Sequence, residues 1–195
     1  MTANTSQSDT AMSINELDAI LGKRPILPNE NAEAYDKLTY QFRSAIGPQD
    51  FIEEILVRDA IDLTWEIQRL KNFKKQLLHA EREGSLKTLL EKLLGYRGYD
   101  EQLYKKWQNG DKAAVKAVNE FLSEKGLDPS SIDAFSFKAQ LDNVERYDRL
   151  IMQGEARRMA HLREVDRHRV ALANIMRDTI ARIEGGKTIE HEAAK

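Results

Sequence analysis

The residues that most resemble a chemical site are His161, Glu164 and His168, two imidazoles and a carboxylate in one predicted helix. Side chains of these types commonly bind zinc. The histidines are seven residues apart, however, which separates them by about 10 Å along a helix axis, so that one ion does not readily bridge them. A di-iron bundle needs a Glu-x-x-His spacing on two helices, and the sequence contains no such spacing. We therefore predict no metal site.

Catalytic chemistry of other kinds finds no matching pattern. The same helix places no nucleophile beside a base, and the chain contains no cysteine. No glycine-rich phosphate loop or Walker sequence occurs. We therefore predict that the protein is not an enzyme, with no catalytic residue and no cofactor.

Charged residues interrupt the apolar repeat of the last predicted helix. They are Asp148, Glu155, Arg158 and Arg169. Polar residues in such a seam fix register or partner choice, because an unpaired charge is penalised in any wrong alignment. The earlier long helix offers candidate partners in Asp59, Asp62 and Glu66, and we predict these seven residues as an interaction site in which Arg158 pairs with Asp62 or Glu66. Alternatively, this part of the helix is simply exposed and its arginines extend along the surface.

Aromatic rings alternate with positive charges between residues 95 and 112. The group comprises Tyr96, Arg97, Tyr99, Tyr104, Lys105, Lys106, Trp107 and Lys112. Rings stack on bases while lysines contact phosphates, so nucleic-acid contacts at Tyr96, Arg97, Lys105, Lys106 and Trp107 are an alternative function. The competing interpretation is that the rings form the core of a small lobe. The net charge of −2 provides no general attraction to nucleic acid.

Helices must position all of these residues, because helical periodicity runs almost uninterrupted over 51–83 and over 132–184. Both stretches repeat apolar residues every seven positions, as in Val165, Leu172 and Thr179 with Met176 and Ile183 beside them. An apolar seam of this kind is stabilised when it packs against a partner helix. We predict an all-α fold, an elongated antiparallel helical hairpin that a first helix completes to a three-helix bundle, with a small helical lobe inserted at the hairpin tip.

Capping residues, glycines and prolines define the predicted boundaries. We predict a disordered tail over 1–27 with a short helix at 13–21, first and core helices over 28–84, an inserted lobe over 85–127, a long final helix over 128–185 that packs on 49–83, and a disordered tail over 186–195. Asn29 or Asn31 caps the first helix. The helix at 13–21 is either a docking motif for a partner or a segment that packs on its own domain.

The predicted lengths leave part of the final helix without a partner. The core helix extends about 50 Å and the final helix about 80 Å. The lobe is positioned to cover one end of the part of the final helix that the core helix leaves uncovered. We expect a homodimer partner to cover the other end.

The length of the chain allows one domain, or one domain with a small inserted lobe. The chain has 195 residues and no cysteine, which suits a reducing compartment. It contains no run of about 20 apolar residues that would span a bilayer. Its first residues contain no basic start and no apolar segment of a secretory signal. We expect a cytoplasmic protein with no membrane partner.

Three segments resemble a known set of proteins. They are PNENAEAYDKL at 28–38, FIEEILVRDAIDLTWEIQRLKNFKKQLL at 51–78 and ERYDRLIMQGEARRMAHLREVDRHRVAL at 145–172. These strings resemble a family of uncharacterised helical proteins of alphaproteobacteria, over most of residues 25 to 185. The resemblance implies a bacterial cytosolic origin and a helical fold. The family has no assigned activity, so it implies no catalytic or binding residue here.

Together these patterns predict a non-enzymatic helical scaffold or adaptor that mediates protein–protein association. The partner is a protein, and self-association into a homo-oligomer is expected because the apolar seams need a cover. The alternative is an accessory nucleic-acid-binding protein that uses residues 95–112.

Overall fold

The computed structural model of the chain describes residues 14–94 and 101–193, and these ranges contain helices and no strand. The helices are α1 Ile14–Leu21, α2 Ala32–Ile46, α3 Phe51–Leu94, α4 Glu101–Gln108, α5 Lys112–Glu124, α6 Ser130–Ala139 and α7 Leu141–Ala193. The predicted all-α class is confirmed. The described residues form two compact units, a first unit of 14–67 with 153–193 and a second unit of 68–94 with 101–152.

Local capping explains the limits of α2. The helix begins after Asn31, whose side-chain oxygen accepts a hydrogen bond from the N–H of Ala34 at 3.2 Å. Asn31 is thus the cap among the two predicted candidates. The helix ends at Gly47, which has a left-handed φ of 59° and donates its N–H to the carbonyl of Arg43.

Helix α3 continues to Leu94, so the predicted break at Gly84 and Ser85 was wrong. A glycine inside a helix costs only about 1 kcal/mol relative to alanine. The next turns bury Leu86, Leu89 and Leu90 in a core. Because burial of one leucine side chain gains about 1.5–3 kcal/mol, packing outweighs the local preference of the glycine.

The predicted final helix is divided, and its predicted end was also wrong. Gln140 leaves helical geometry with φ −108° and ψ 17°, which separates α6 from α7. The amide side chain of Gln140 donates to Glu81 at 2.7 Å. At the other end α7 passes Gly185 and Gly186 and reaches Ala193. Glycine ends a helix readily only where it adopts the left-handed conformation.

The core of the first unit lies between α2, α3 and α7. Tyr35, Val57, Ile61 and Val165 are buried together. The ring of Tyr35 meets Trp65 edge to face, with ring centres 5.5 Å apart. One residue from the predicted first helix, two from the core helix and one from the final helix therefore share this core.

Helices α3 and α7 are antiparallel in the first unit. Asp50, directly before α3, lies beside His168, and Asp59 of α3, nine residues later, lies beside His161. Residue numbers thus rise along one helix as they fall along the other. This is the predicted antiparallel pairing.

The second unit has a core of its own, built by the end of α3 with α4, α5 and α6. Its buried residues are Leu86, Leu89, Leu90, Tyr104, Val118, Leu122 and Ile132. In this unit too α3 and α7 are in contact, because Lys74 binds Asp148 at 2.7 Å. The predicted lobe therefore shares its core with the last turns of α3 and does not begin after that helix.

Gly154 of α7 marks a close approach within the first unit, because a Cβ added there would lie 3.0 Å from Cγ1 of the buried Ile67. We expect Gly154→Ala to lower the free energy of unfolding by about 1–3 kcal/mol through overpacking. Gly84→Ala is the matched control, since its Cβ would meet only the flexible end of Glu81. That control should stabilise the protein by up to about 1 kcal/mol through helix propensity. Urea unfolding measures both changes, and equal signs would contradict the expectation.

Candidate functional site: the helix junction and the exposed end of α7

A connected polar junction lies where α2 ends and α3 begins. The carboxylate of Asp50 accepts a hydrogen bond from the N–H of Glu53 at 2.9 Å. The carboxylate of Glu53 accepts one from the N–H of Gln49, also at 2.9 Å. These bonds resemble a capping box, which satisfies N–H groups at a helix start. Glu53 is fully buried, so its charge needs a nearby cation.

Arg169 of α7 supplies that cation. Its Nε and Nη2 donate to the two oxygens of Glu53 at 2.9 and 2.8 Å, a bidentate pair. Its Nη2 also donates to the carbonyls of Ile46 and Gly47 at 2.9 and 3.0 Å. The hydrogen bond from Arg169 lowers the pKa of Glu53, although burial acts in the opposite direction. The predicted seam charge Arg169 therefore has an intramolecular partner, and Glu53 was not among the predicted ones.

The two histidines of α7 contact separate carboxylates. His168 Nε2 lies 2.7 Å from Asp50 Oδ2, and His161 Nδ1 lies 3.8 Å from Asp59 Oδ2. The backbone hydrogen bond from Glu53 lowers the pKa of Asp50, and the hydrogen bond to His168 lowers it further. In the parts of the chain that the structure describes, no three metal-binding side chains come together. These histidines connect α7 to α3.

A second polar network surrounds Arg58 of α3, a side chain that is only 5 % exposed. Arg58 donates to Asp18 at 2.9 Å and to Asp62 at 3.2 Å, and the hydroxyl of Tyr35 also donates to Asp62. Burial raises the pKa of Asp62, whereas the hydrogen bond from Tyr35 and the charge of Arg58 lower it. Asp18 also pairs with Arg24 at 3.1 Å. The network attaches α1 and α2 to α3.

The predicted pairing of Arg158 with Asp62 or Glu66 is absent. Asp62 is held by Tyr35 and Arg58 instead, while Arg158 is half-buried on α7 and Glu66 is exposed. Arg58 precedes Asp62 by four residues on the same helix, so the two meet without any tertiary constraint.

Two further predicted interaction residues take different positions. Asp148 binds Lys74 of α3 in the second unit at 2.7 Å, and Glu155 is half-buried on α7 in the first unit. The predicted set therefore does not form one site. Several of its members stabilise contacts within the chain.

Helix α1 packs on the first unit. Leu17 is 2 % exposed, and Asp18 binds Arg58 and Arg24. Of the two interpretations of this segment, the structure has the one in which the helix lies on its own domain.

The proposed nucleic-acid contacts are only partly described, since Tyr96 and Arg97 lie outside the described residues. Lys105 pairs with Glu101 at 2.9 Å, and Lys106 is exposed. Trp107 packs against the core of the second unit. The guanidinium of Arg82 lies over the ring of Trp107, 5.8 Å from its centre. That contact occupies a ring face that a base would need for stacking.

A cavity of about 620 Å³ lies in the second unit between α3, the end of α4, α5 and the start of α6. Its polar lining includes Arg82 and Glu83. Arg82 lies 2.7 Å from Asp133, and Glu83 accepts a hydrogen bond from Gln108. Both charges therefore have a partner within the chain.

Beyond the junction, α7 is exposed at every residue over 173–184. Four large apolar side chains in this stretch, Ile175, Met176, Ile180 and Ile183, are between 54 % and 63 % exposed. Single exposed apolar residues are ordinary on a protein surface, but a contiguous group indicates an interaction site. Here the group follows helical spacing.

The exposed residues continue the face of α7 that is buried upstream. Val165 lies in the core of the first unit, and Leu172 and Thr179 follow it at intervals of seven residues, about two helical turns. Helix α3 begins at Phe51, next to the pair of Asp50 with His168. The face therefore loses its cover where α3 begins. We call this surface the α7 stripe, and it consists of Leu172, Ile175, Met176, Thr179, Ile180 and Ile183.

Comparisons with protein-family models, with curated proteins and with solved structures gave no match. None of the helices in the described ranges contains a stretch with the length and hydropathy of a bilayer-spanning segment.

Proposed function

We propose that the protein is a non-enzymatic helical scaffold that associates with a second copy of itself through the α7 stripe. One observation carries the proposal: the apolar face of α7 continues past the start of α3 and is exposed over 173–184. A helix face of this kind gains free energy when a second helix covers it.

A second copy suits the charge of the segment. Its four charged residues are Arg177, Asp178, Arg182 and Glu184, two positive and two negative. Two identical segments therefore meet without net repulsion. Because the chain is its own most available partner, the stripe needs no further component to be covered.

The size of the stripe predicts a reversible interaction. With about half of each side chain exposed, pairing of two copies buries on the order of 1,000 Å² in total, near the lower limit of stable interfaces. We expect a dissociation constant on the order of micromolar. Reversible association suits a scaffold whose assembly depends on its concentration.

The stripe is tested by placing two charges on it with Met176→Lys and Ile183→Lys together. Because a charge in an apolar interface must lose its hydration, we expect dimerisation to weaken by at least about tenfold, or 1.4 kcal/mol. Light scattering after size-exclusion chromatography over a concentration series measures the mass. Circular dichroism should be unchanged, since the two side chains are exposed.

The matched control places the same two charges on the opposite face of the segment, with Asn174→Lys and Ala181→Lys. These positions lie about half a turn away from the stripe, so the control should dimerise as the unmodified protein does. A single-chain mass for the unmodified protein up to about 1 mM would overturn the proposal, because it excludes useful self-association.

A further inference from the structure

We infer that the two α7 segments pair in antiparallel orientation, with Leu172 of one copy facing Ile183 of the other. The inference rests on the proposed function, because it specifies the direction and register of the same association. The direction follows from the position of α3 upstream of the stripe and of Gly185 and Gly186 downstream of it.

The position of α3 decides the direction. Upstream of Leu172 the same face of α7 is covered by the first turns of α3, which Glu53 and Asp50 hold against Arg169 and His168. Packed helices have axes about 8–10 Å apart. A partner helix that packs on the α7 stripe therefore lies in line with α3, ahead of its first residue, Phe51.

In parallel pairing, the α3 helices of the two copies would obstruct the approach of the two α7 helices. Both copies of α3 would lie between the two α7 helices directly below Leu172. The α7 axes would then have to separate from about 9 Å to roughly three times that distance within about one helical turn of 5.4 Å. Helices bend gently unless a proline or an insertion kinks them, and residues 164–172 contain no proline.

Antiparallel pairing avoids the conflict, because it places the two α3 helices at opposite ends of the paired segment. The partner helix then runs in the same direction as α3. Where the partner reaches the level of the first turn of α3, its chain has arrived at Gly185 and Gly186. Because α7 continues as a helix to Ala193, pairing requires the partner helix to bend away from α3 at this point, where two adjacent glycines weaken the helix by about 2 kcal/mol.

The spacing of the stripe also matches this register. When Leu172 faces Ile183, Met176 faces Thr179 and Ile175 faces Ile180. Each apolar layer thus receives one residue from each copy, as the layers of an antiparallel two-helix interface require.

Cysteine cross-linking tests the direction, and the chain provides a clean background because it contains no cysteine. Leu172→Cys and Ile183→Cys are prepared separately, one with a size tag, and then mixed and oxidised. In an antiparallel pair the mixed disulfide forms, because the two positions face each other. Identical positions lie about 16 Å apart along the axis, and a disulfide needs Cα atoms within about 7 Å. We therefore expect the mixed product to dominate each self-linked product by at least about tenfold.

Ala181→Cys on the outer face is the control and should give neither product. Self-linked Ile183→Cys in equal or greater yield than the mixed product would overturn the antiparallel inference, while leaving the proposed function in place. Absence of every cross-link together with a single-chain mass by light scattering would overturn both. Absence of cross-links in a protein that does dimerise would contradict this register alone.

Discussion

Replacing Arg58 by methionine is expected to lower the free energy of unfolding by about 3 kcal/mol, because the partly buried Asp62 then keeps a hydrogen bond from Tyr35 but no cation. Arg58 is nearly inaccessible and binds both Asp18 and Asp62. Methionine keeps much of the volume of the side chain and removes only its charge and hydrogen bonds. Urea unfolding followed by circular dichroism measures the change.

Arg167→Met provides the control for this substitution. Arg167 pairs with Glu164 on the exposed surface of α7 at 3.3 Å, and exposed pairs contribute at most about 1 kcal/mol. If uncompensated carboxylate causes the loss at Arg58, adding Asp62→Asn to Arg58→Met should recover part of it. Equal losses for the two arginine substitutions, or no recovery, would show that the network does not stabilise the fold as described.

Arg169→Met is expected to cost about 3 kcal/mol at neutral pH, since it leaves the buried carboxylate of Glu53 with a backbone hydrogen bond and no cation. The effect should depend on pH in a defined direction. Because Arg169 lowers the pKa of Glu53 in the folded protein, Glu53 contributes stability above its unfolded pKa of about 4.3. This contribution is lost as the pH falls through the folded pKa.

The difference between Arg169→Met and the unmodified protein should therefore be largest near neutral pH and decrease as the medium becomes more acidic than about pH 4. Unfolding experiments at a series of pH values measure this difference. Arg163→Met is the control, because Arg163 is exposed on α7 and donates to the carbonyl of Met159. A constant difference across the pH range would show that the loss comes from packing and not from Glu53.

The helices were predictable because apolar periodicity is local information. The stretch over 51–83 lies within α3, and the seven-residue repeat through Val165 and Leu172 lies on α7. The break at Gly84 was not predictable in the same way. A glycine signals the end of a helix only when tertiary burial does not oppose it, and here Leu86 and Leu90 oppose it.

The same distinction between local and long-range information applies to the site residues. Arg169 could be recognised as a charge in an apolar seam, but its partner Glu53 is 116 residues away, and no pattern in the chain joins them. Arg58 and Asp62 are four residues apart on one helix, a spacing that does carry a signal. The contribution of Tyr35 depends on the packing of α2, which only the structure gives.

The bidentate contact of Arg169 with Glu53 lies at the point where α7 changes from partly buried to fully exposed. Substitutions of buried residues before it, such as Val165, alter folding, whereas residues 173–184 are all exposed, so that substitutions there leave the interior untouched. On the proposed function, replacing residues of the α7 stripe would therefore change which helix pairs with α7 while leaving the folded units unchanged.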